Sequence, residues 1–132
     1  MATESVLGGS DLIAFAPTTD PAKARAFYES VLGLRLVADQ KPFALEFDAN
    51  GIMLRVTTVR ELKAQPFTIL GWSVSDIEAT ADKLVAAGVS FERYPGVNDS
   101  DSRGIWNSPG GARIAWFKDP DGNVLSLTEF PR

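Results

Sequence analysis

One succession of signals occurs twice in this chain of 132 residues, and that repetition constrains the fold more than any single motif. In the first half an apolar run, Leu12–Pro17, leads through Thr18-Thr19 to Asp20-Pro21. An Asp side chain there caps a helix, and Pro suits the first turn because its missing N–H has no partner at that position anyway. Ala22, Ala26, Phe27, Val31 and Leu32 keep helical spacing, and Gly33 supplies a left-handed stop. Three strand-like segments follow: Leu34–Asp39, Phe43–Asp48 and Ile52–Val59. In the second half Phe67–Val74 precedes Ser75-Asp76-Ile77-Glu78, which has the form of a capping box with Ser75 and Glu78 as its reciprocal partners. A stripe of Ile77, Thr80, Ala81, Leu84 and Val85 then ends at Gly88, and Val89–Tyr94, Ala112–Lys118 and Asn123–Glu129 read as strands. Aligning Asp20 with Asp76 brings Gly33 and Gly88 within one position of each other. The expectation is an α+β fold of two βαβββ modules, about residues 10–60 and 66–130, that complete one shared core. Residues 1–9, small and polar with a Gly8-Gly9 pair, read as a loosely ordered leader.

Turn chemistry sets one register in advance. Asn50-Gly51 favours the two-residue hairpin turn whose twist matches its flanking strands, which places Phe47 opposite Leu54 and Glu46 opposite Arg55. Asp119-Pro120-Asp121-Gly122 is a second tight turn, joining the last two strands.

Two absences restrict the chemistry. The chain has no Cys, which excludes disulfides, thiolate nucleophiles and Cys-type metal sites. It has no His either, which excludes Ser-His-Asp triads, HExxH zinc sites and imidazole acid–base catalysis. Lys plus Arg number 13 and Asp plus Glu 17, for a net charge of −4, and no basic run marks a phosphate-binding face. Nucleic acid is therefore not an expected partner. No apolar stretch approaches the roughly 20 residues that span a bilayer, and the start lacks a basic flank before an apolar run. A cytoplasmic protein without membrane contact is the expectation.

Three stretches carry a family resemblance: Ala26-Phe27-Tyr28 with Val31-Leu32-Gly33-Leu34, Val74-Ser75-Asp76 with Ala86-Ala87-Gly88-Val89, and Phe117-Lys118-Asp119-Pro120-Asp121-Gly122-Asn123. In order and spacing the chain resembles the vicinal oxygen chelate superfamily, which includes glyoxalase I, extradiol dioxygenases, fosfomycin-resistance enzymes and bleomycin-binding resistance proteins. The resemblance implies that each module curls its sheet around a cavity. Metal-dependent members place His on the first strand of each module and a carboxylate on the last. The matching positions here are Ile13, Ile69, Arg55 and Ser126, and none is a good metal ligand. Neither a metal nor another cofactor is expected, the remaining option being a carboxylate-only Mg²⁺ or Mn²⁺ site from Glu46, Asp99 or Asp101.

Strand alternation, combined with that resemblance, aims Arg55 and Met53 at the cavity. The same parity aims Ile13, Phe15 and Pro17 there from the first strand, Phe67, Ile69 and Gly71 from the fifth, and Ser126 and Thr128 from the last. Arg55 either pairs internally with Glu46 or anchors a ligand carboxylate with its fork of donors. Trp72 is expected in the core. Trp106, in the loop from Gly96 to Gly111, either stacks on a flat ligand or closes the loop onto the sheet or a dimer interface. Trp116 is a second stacking candidate whose face the pattern leaves open. Tyr28 reads as a core residue with a wet tip, and Asp99 and Asp101 read as solvated surface or an acidic rim.

These readings converge on a metal-independent small-molecule-binding protein, a homodimer that sequesters a partly aromatic or anionic ligand in a sheet-lined cavity, as the bleomycin-resistance branch does. The alternative is a lyase, isomerase or dioxygenase relative with a relocated or absent metal and Glu46 as general base. An ion pair with Arg55 would occupy that carboxylate and make it a poor base. A third class, a regulatory module whose pocket senses an effector, lacks any recognisable DNA-reading element.

Overall fold

A computed structural model describes residues 5–132; the first four positions of the expected 1–9 leader lie outside the described residues. The first module runs β1 (Ile13–Thr18), α1 (Pro21–Arg25) continuing as a π-helical turn (Ala26–Val31), β2 (Arg35–Gln40), β3 (Ala44–Ala49) and β4 (Ile52–Thr58). The second runs β5 (Thr68–Ser73), α2 (Ile77–Ala86), β6 (Trp106–Asn107), β7 (Arg113–Lys118) and β8 (Val124–Glu129). Each module forms one four-stranded sheet, in the orders β1-β4-β3-β2 and β5-β8-β7-β6, so the two topologies are the same. In both, the first strand lies parallel to the last and the remaining pairs are antiparallel.

Local chemistry accounts for the elements. Asp20 and Asp76 both adopt extended backbone and accept an N–H three residues on, from Lys23 at 3.2 Å and Ala79 at 3.0 Å. The second helix is thus capped by Asp76 rather than by Ser75, and Glu78 turns instead to Arg113, at 2.8 Å. The first turn is served instead by two carboxylates, Asp76 on Ala79 N–H and Glu129 on Ile77 N–H, each at 3.0 Å.

The core lies between the two sheets and the helices, and both modules contribute to it. Ala16, Leu45, Phe47, Leu54 and Val56 from the first pack in one cluster with Ile77, Leu84, Ala115, Phe117, Leu125 and Leu127 from the second. Phe27, on the π-helical turn, meets Tyr28 edge-on at 5.2 Å and Phe117 of the other module at 6.4 Å. Trp72 packs against this cluster while staying partly exposed.

Tyr28 departs from expectation. Its tip is dry: the residue is 1% exposed and its hydroxyl donates to Asp119 Oδ2 at 2.7 Å. Asp119 also accepts the N–H groups of Asp121 and Asn123, each at 2.9 Å, and Asn123 Nδ2 at 2.8 Å. Asp121 reaches across to the first module, accepting Thr18 Oγ1 at 2.6 Å, Thr19 N–H at 2.9 Å and Thr19 Oγ1 at 2.8 Å. The Asp119-Pro120-Asp121-Gly122 turn therefore closes a hairpin and ties the modules together.

The second module breaks the strict repeat in one place. Val89–Tyr94, expected as a strand, keeps only a bridge from Phe91 to Phe117 and a hydrogen bond from Glu92 N–H to the Trp116 carbonyl at 2.7 Å. The edge strand is instead β6, at Trp106-Asn107, within the expected loop. Pro95 has no N–H to give a ladder, and Gly96, at φ +75°, turns the chain out of extended conformation.

Candidate functional site

Each sheet buries one face against the helices and leaves the other open. On the first module's open face β4 presents Met53 and Arg55 while Leu54 and Val56 go to the core. β1 presents Ile13 and Phe15, 43% and 57% exposed, while Ala14 and Ala16 turn inward, small enough to admit the helix. The hairpin register falls where Asn50-Gly51 requires, Glu46 opposite Arg55. The guanidinium donates to the Glu46 carboxylate through Nη1 and to Gln40 Oε1 through Nη2 at 3.4 Å. Glu46 is 9% exposed, so its charge is met inside the protein. Ile13, Met53 and Glu46 line a depression of about 350 Å³ with Arg35, Val37 and Asp48.

On the second module Trp116 faces Ser126 across the β7–β8 ladder, and Trp106 faces Ile114 across β6–β7. Both indoles thereby stand on the open face. They stack with centroids 6.0 Å apart at 30°, and Tyr94 meets Trp116 edge-on at 5.5 Å. Phe67, Thr68, Val97 and Val124 complete a trough of about 500 Å³ whose lining carries no charged side chain.

Ile69 leaves the position expected for it. The β5–β8 register slips between Thr68 and Leu70, so Ile69 is the extra residue of a bulge. It lines a groove of about 520 Å³ at the module junction with Ala14, Leu54, Gly71 and Trp72. Beyond the bulge the parity recovers and Gly71 pairs with Ser126. A Cβ at Gly71 would stand 2.8 Å from Ser126 Oγ, so the serine hydroxyl occupies the space above this glycine. A one-residue bulge has no sequence signature strong enough to override simple alternation, which is why parity misplaced Ile69.

The named site residues thus fall into separate depressions: Ile13, Met53 and Glu46 in one, Ile69 and Gly71 in a second, Trp106 and Trp116 in a third. Sequence reasoning missed Tyr94, Val97 and Val124 in the aromatic trough. The sequence pattern puts Tyr94 in a strand, and only the fold of the following loop turns it toward Trp116.

The chelate positions do not fit a metal. Ile13 and Ile69 offer no lone pair, Arg55 brings a cation, and Ser126 alone has an oxygen. The three carboxylates of the alternative set each have partners of their own. Asp99 accepts Gly96 N–H at 3.2 Å and Asp101 accepts Ile105 N–H at 2.8 Å, while Glu46 is held by Arg55. Among the described residues no three His, Cys, Asp or Glu side chains converge as a metal site requires. Among the same residues, no helix is long and apolar enough to cross a membrane.

The sequence profile of the Glyoxalase/Bleomycin resistance protein/Dioxygenase superfamily matches residues 11–127. Among curated proteins, none matches the chain by sequence. Solved structures align along almost the whole chain. TnmS3, an antibiotic binding protein from Streptomyces sp. CB03234, is 26% identical over 96% of this chain and 100% of its own, with TM-score 0.67. A bleomycin resistance determinant encoded on the transposon Tn5 is 21% identical over 93% of this chain and 99% of its own, TM-score 0.71. A putative glyoxalase family protein from Bacillus anthracis, at 15% identity over 98% of this chain and 100% of its own, has TM-score 0.74.

Proposed function

Because this chain belongs to the Glyoxalase/Bleomycin resistance protein/Dioxygenase superfamily, we propose that it is a metal-independent binding protein that sequesters a flat, partly aromatic small molecule. The observation that carries the reading is the stacked Trp106–Trp116 pair, walled by Tyr94 on an uncharged open face. Indole faces left unburied in a mostly apolar trough are what an aromatic ligand needs: large contact area with little conformational freedom to lose. Arg55 serves such a site as a paired, orienting group rather than a free anion anchor, since its fork already holds Glu46 and Gln40. The same pairing argues against Glu46 as a general base and so against the enzymatic alternative.

A second copy of the chain belongs to this reading. Ile13, Phe15, Met53 and Phe67 are 38–59% exposed on or beside the open faces, a costly arrangement for a monomer. The Arg55 face and the tryptophan face line separate depressions within one chain. Facing the first module of one protomer with the second module of another would join them around one ligand.

Titration with proflavine, a flat tricyclic cation, and anthraquinone-2-sulfonate, a flat tricyclic anion, tests the proposal by tryptophan fluorescence. Saturable quenching by at least one probe, lost in Trp106→Phe, is the expected result. An unaltered response in Trp106→Phe sinks stacking at this residue, and a divalent ion found at near one per chain by native mass spectrometry sinks metal independence. The same spectra report whether the protein is a dimer.

A further inference from the structure

The segment from Glu92 to Trp106 has almost no regular structure, yet it sets two of the trough's four aromatic side chains. Asn98, 1% exposed, is the buried polar centre of that segment. Its Nδ2 donates to the Glu92 carbonyl at 2.9 Å and to the Gly104 carbonyl at 2.7 Å, and its Oδ1 accepts Tyr94 N–H at 2.7 Å. One side chain thus holds both ends of the loop, next to Tyr94 at the start and two residues before Trp106 at the finish. The far side is supported in parallel. Arg93 donates to the carbonyls of Asp101 and Ser102, and the Asp101 carboxylate accepts Arg103 N–H at 2.9 Å and Ile105 N–H at 2.8 Å. Gly104 is at φ +76°, and a Cβ there would stand 3.4 Å from the Arg93 guanidinium and from Phe91 Cβ.

From this arrangement we infer that Asn98 is the positioning residue of the aromatic trough, holding Tyr94 and Trp106 in place around Trp116 before any ligand arrives. The inference rests on the proposed reading of the trough as a ligand site. An amide is required because the position needs two donors and one acceptor on one short planar group. A carboxylate of the same shape would put an oxygen where Nδ2 stands, facing the Glu92 and Gly104 carbonyls, and release both loop ends. A loop held in advance loses little freedom when a ligand binds, and affinity gains accordingly.

The test uses Asn98→Asp in the full chain with two readouts. Stacked indoles give an exciton couplet in circular dichroism, which Trp106→Phe assigns to the Trp106–Trp116 pair. Asn98→Asp is expected to collapse this couplet while the sheet signal persists, and to weaken proflavine binding about tenfold or more, as expected for two aromatic side chains freed to move. Arg93→Gln, which leaves Asn98 intact, is expected to weaken the couplet partially, and it provides a folded variant if Asn98→Asp proves unstable. A couplet that persists in both variants overturns the inference, as does a collapsed couplet with unchanged proflavine affinity. If the unmodified protein binds neither flat probe, the binding reading fails on its own while the couplet still decides what Asn98 does.

Discussion

Replacing Tyr28 by Phe removes one oxygen from the buried knot that joins the modules and leaves the ring's packing against Phe27 and Phe47 in place. Asp119, 6% exposed, then keeps its two backbone donors on Oδ1 but only Asn123 Nδ2 on Oδ2. A hydrogen bond to a buried charged acceptor is worth about 1.5–3 kcal/mol, so a loss of about 2 kcal/mol is expected, or roughly 5–10 °C in Tm for a domain of this size. Alkaline pH adds a second signature. Burial first, and then the Asp119 charge and the bond to it, push the Tyr28 hydroxyl far above its ordinary value of 10.0. A group whose pKa is raised on folding contributes its full stability below the unfolded value and loses it as pH rises further. The advantage of the unmodified protein over Tyr28→Phe should therefore be constant from pH 7 to 9. Above pH 10 it should shrink by about 1.4 kcal/mol per pH unit. Urea unfolding followed by tryptophan fluorescence at several pH values measures both effects. Equal stability at pH 7, or a difference that does not narrow in alkali, refutes the account of Tyr28 as donor to a buried carboxylate.

Arg55→Ala leaves Glu46 without its partner at a position 9% exposed and should cost about 1–3 kcal/mol in urea unfolding, the lower end reflecting the partial exposure of the guanidinium. If instead stability holds and anthraquinone-2-sulfonate binding vanishes, Arg55 is a ligand anchor after all. Gly71→Ala brings a Cβ to 2.8 Å from Ser126 Oγ, a hydroxyl that can rotate aside, and should destabilise by no more than about 1 kcal/mol. Most of that loss should be recovered in the double variant with Ser126→Ala, and additive losses in the cycle would rule out the clash. The Asp101 carboxyl is held below its ordinary value, chiefly by the Ile105 N–H and further by the Arg103 N–H. Its contribution is therefore present above pH about 3.8 and lost as pH falls through the lower folded-state value. The Trp106–Trp116 couplet should fade on acidification before the sheet signal does, and simultaneous loss of both signals would contradict a locally held loop.

Residue types and their spacing were enough to read the two-module architecture, because capping Asp residues, stop glycines and the Asn-Gly turn act within a few positions of where they sit. Asp20, Gly33 and the Glu46–Arg55 register are all of this local kind. Strand parity likewise separated Leu54 and Val56 from Met53 and Arg55, since alternation needs no knowledge of distant residues. The absence of His and Cys excluded whole classes of chemistry without any fold at all. What tertiary structure alone decided depends on contacts between segments far apart in the chain. The bulge at Ile69 answers to pairing with β8, and the buried Tyr28 hydroxyl answers to Asp119, 91 residues away. The aromatic trough is the clearest instance. Trp106 and Trp116 stand out in the sequence as stacking candidates but Tyr94 does not, and the three meet only because Asn98 ties the ends of one loop together while the β6–β7 ladder aims both indoles at the same open face.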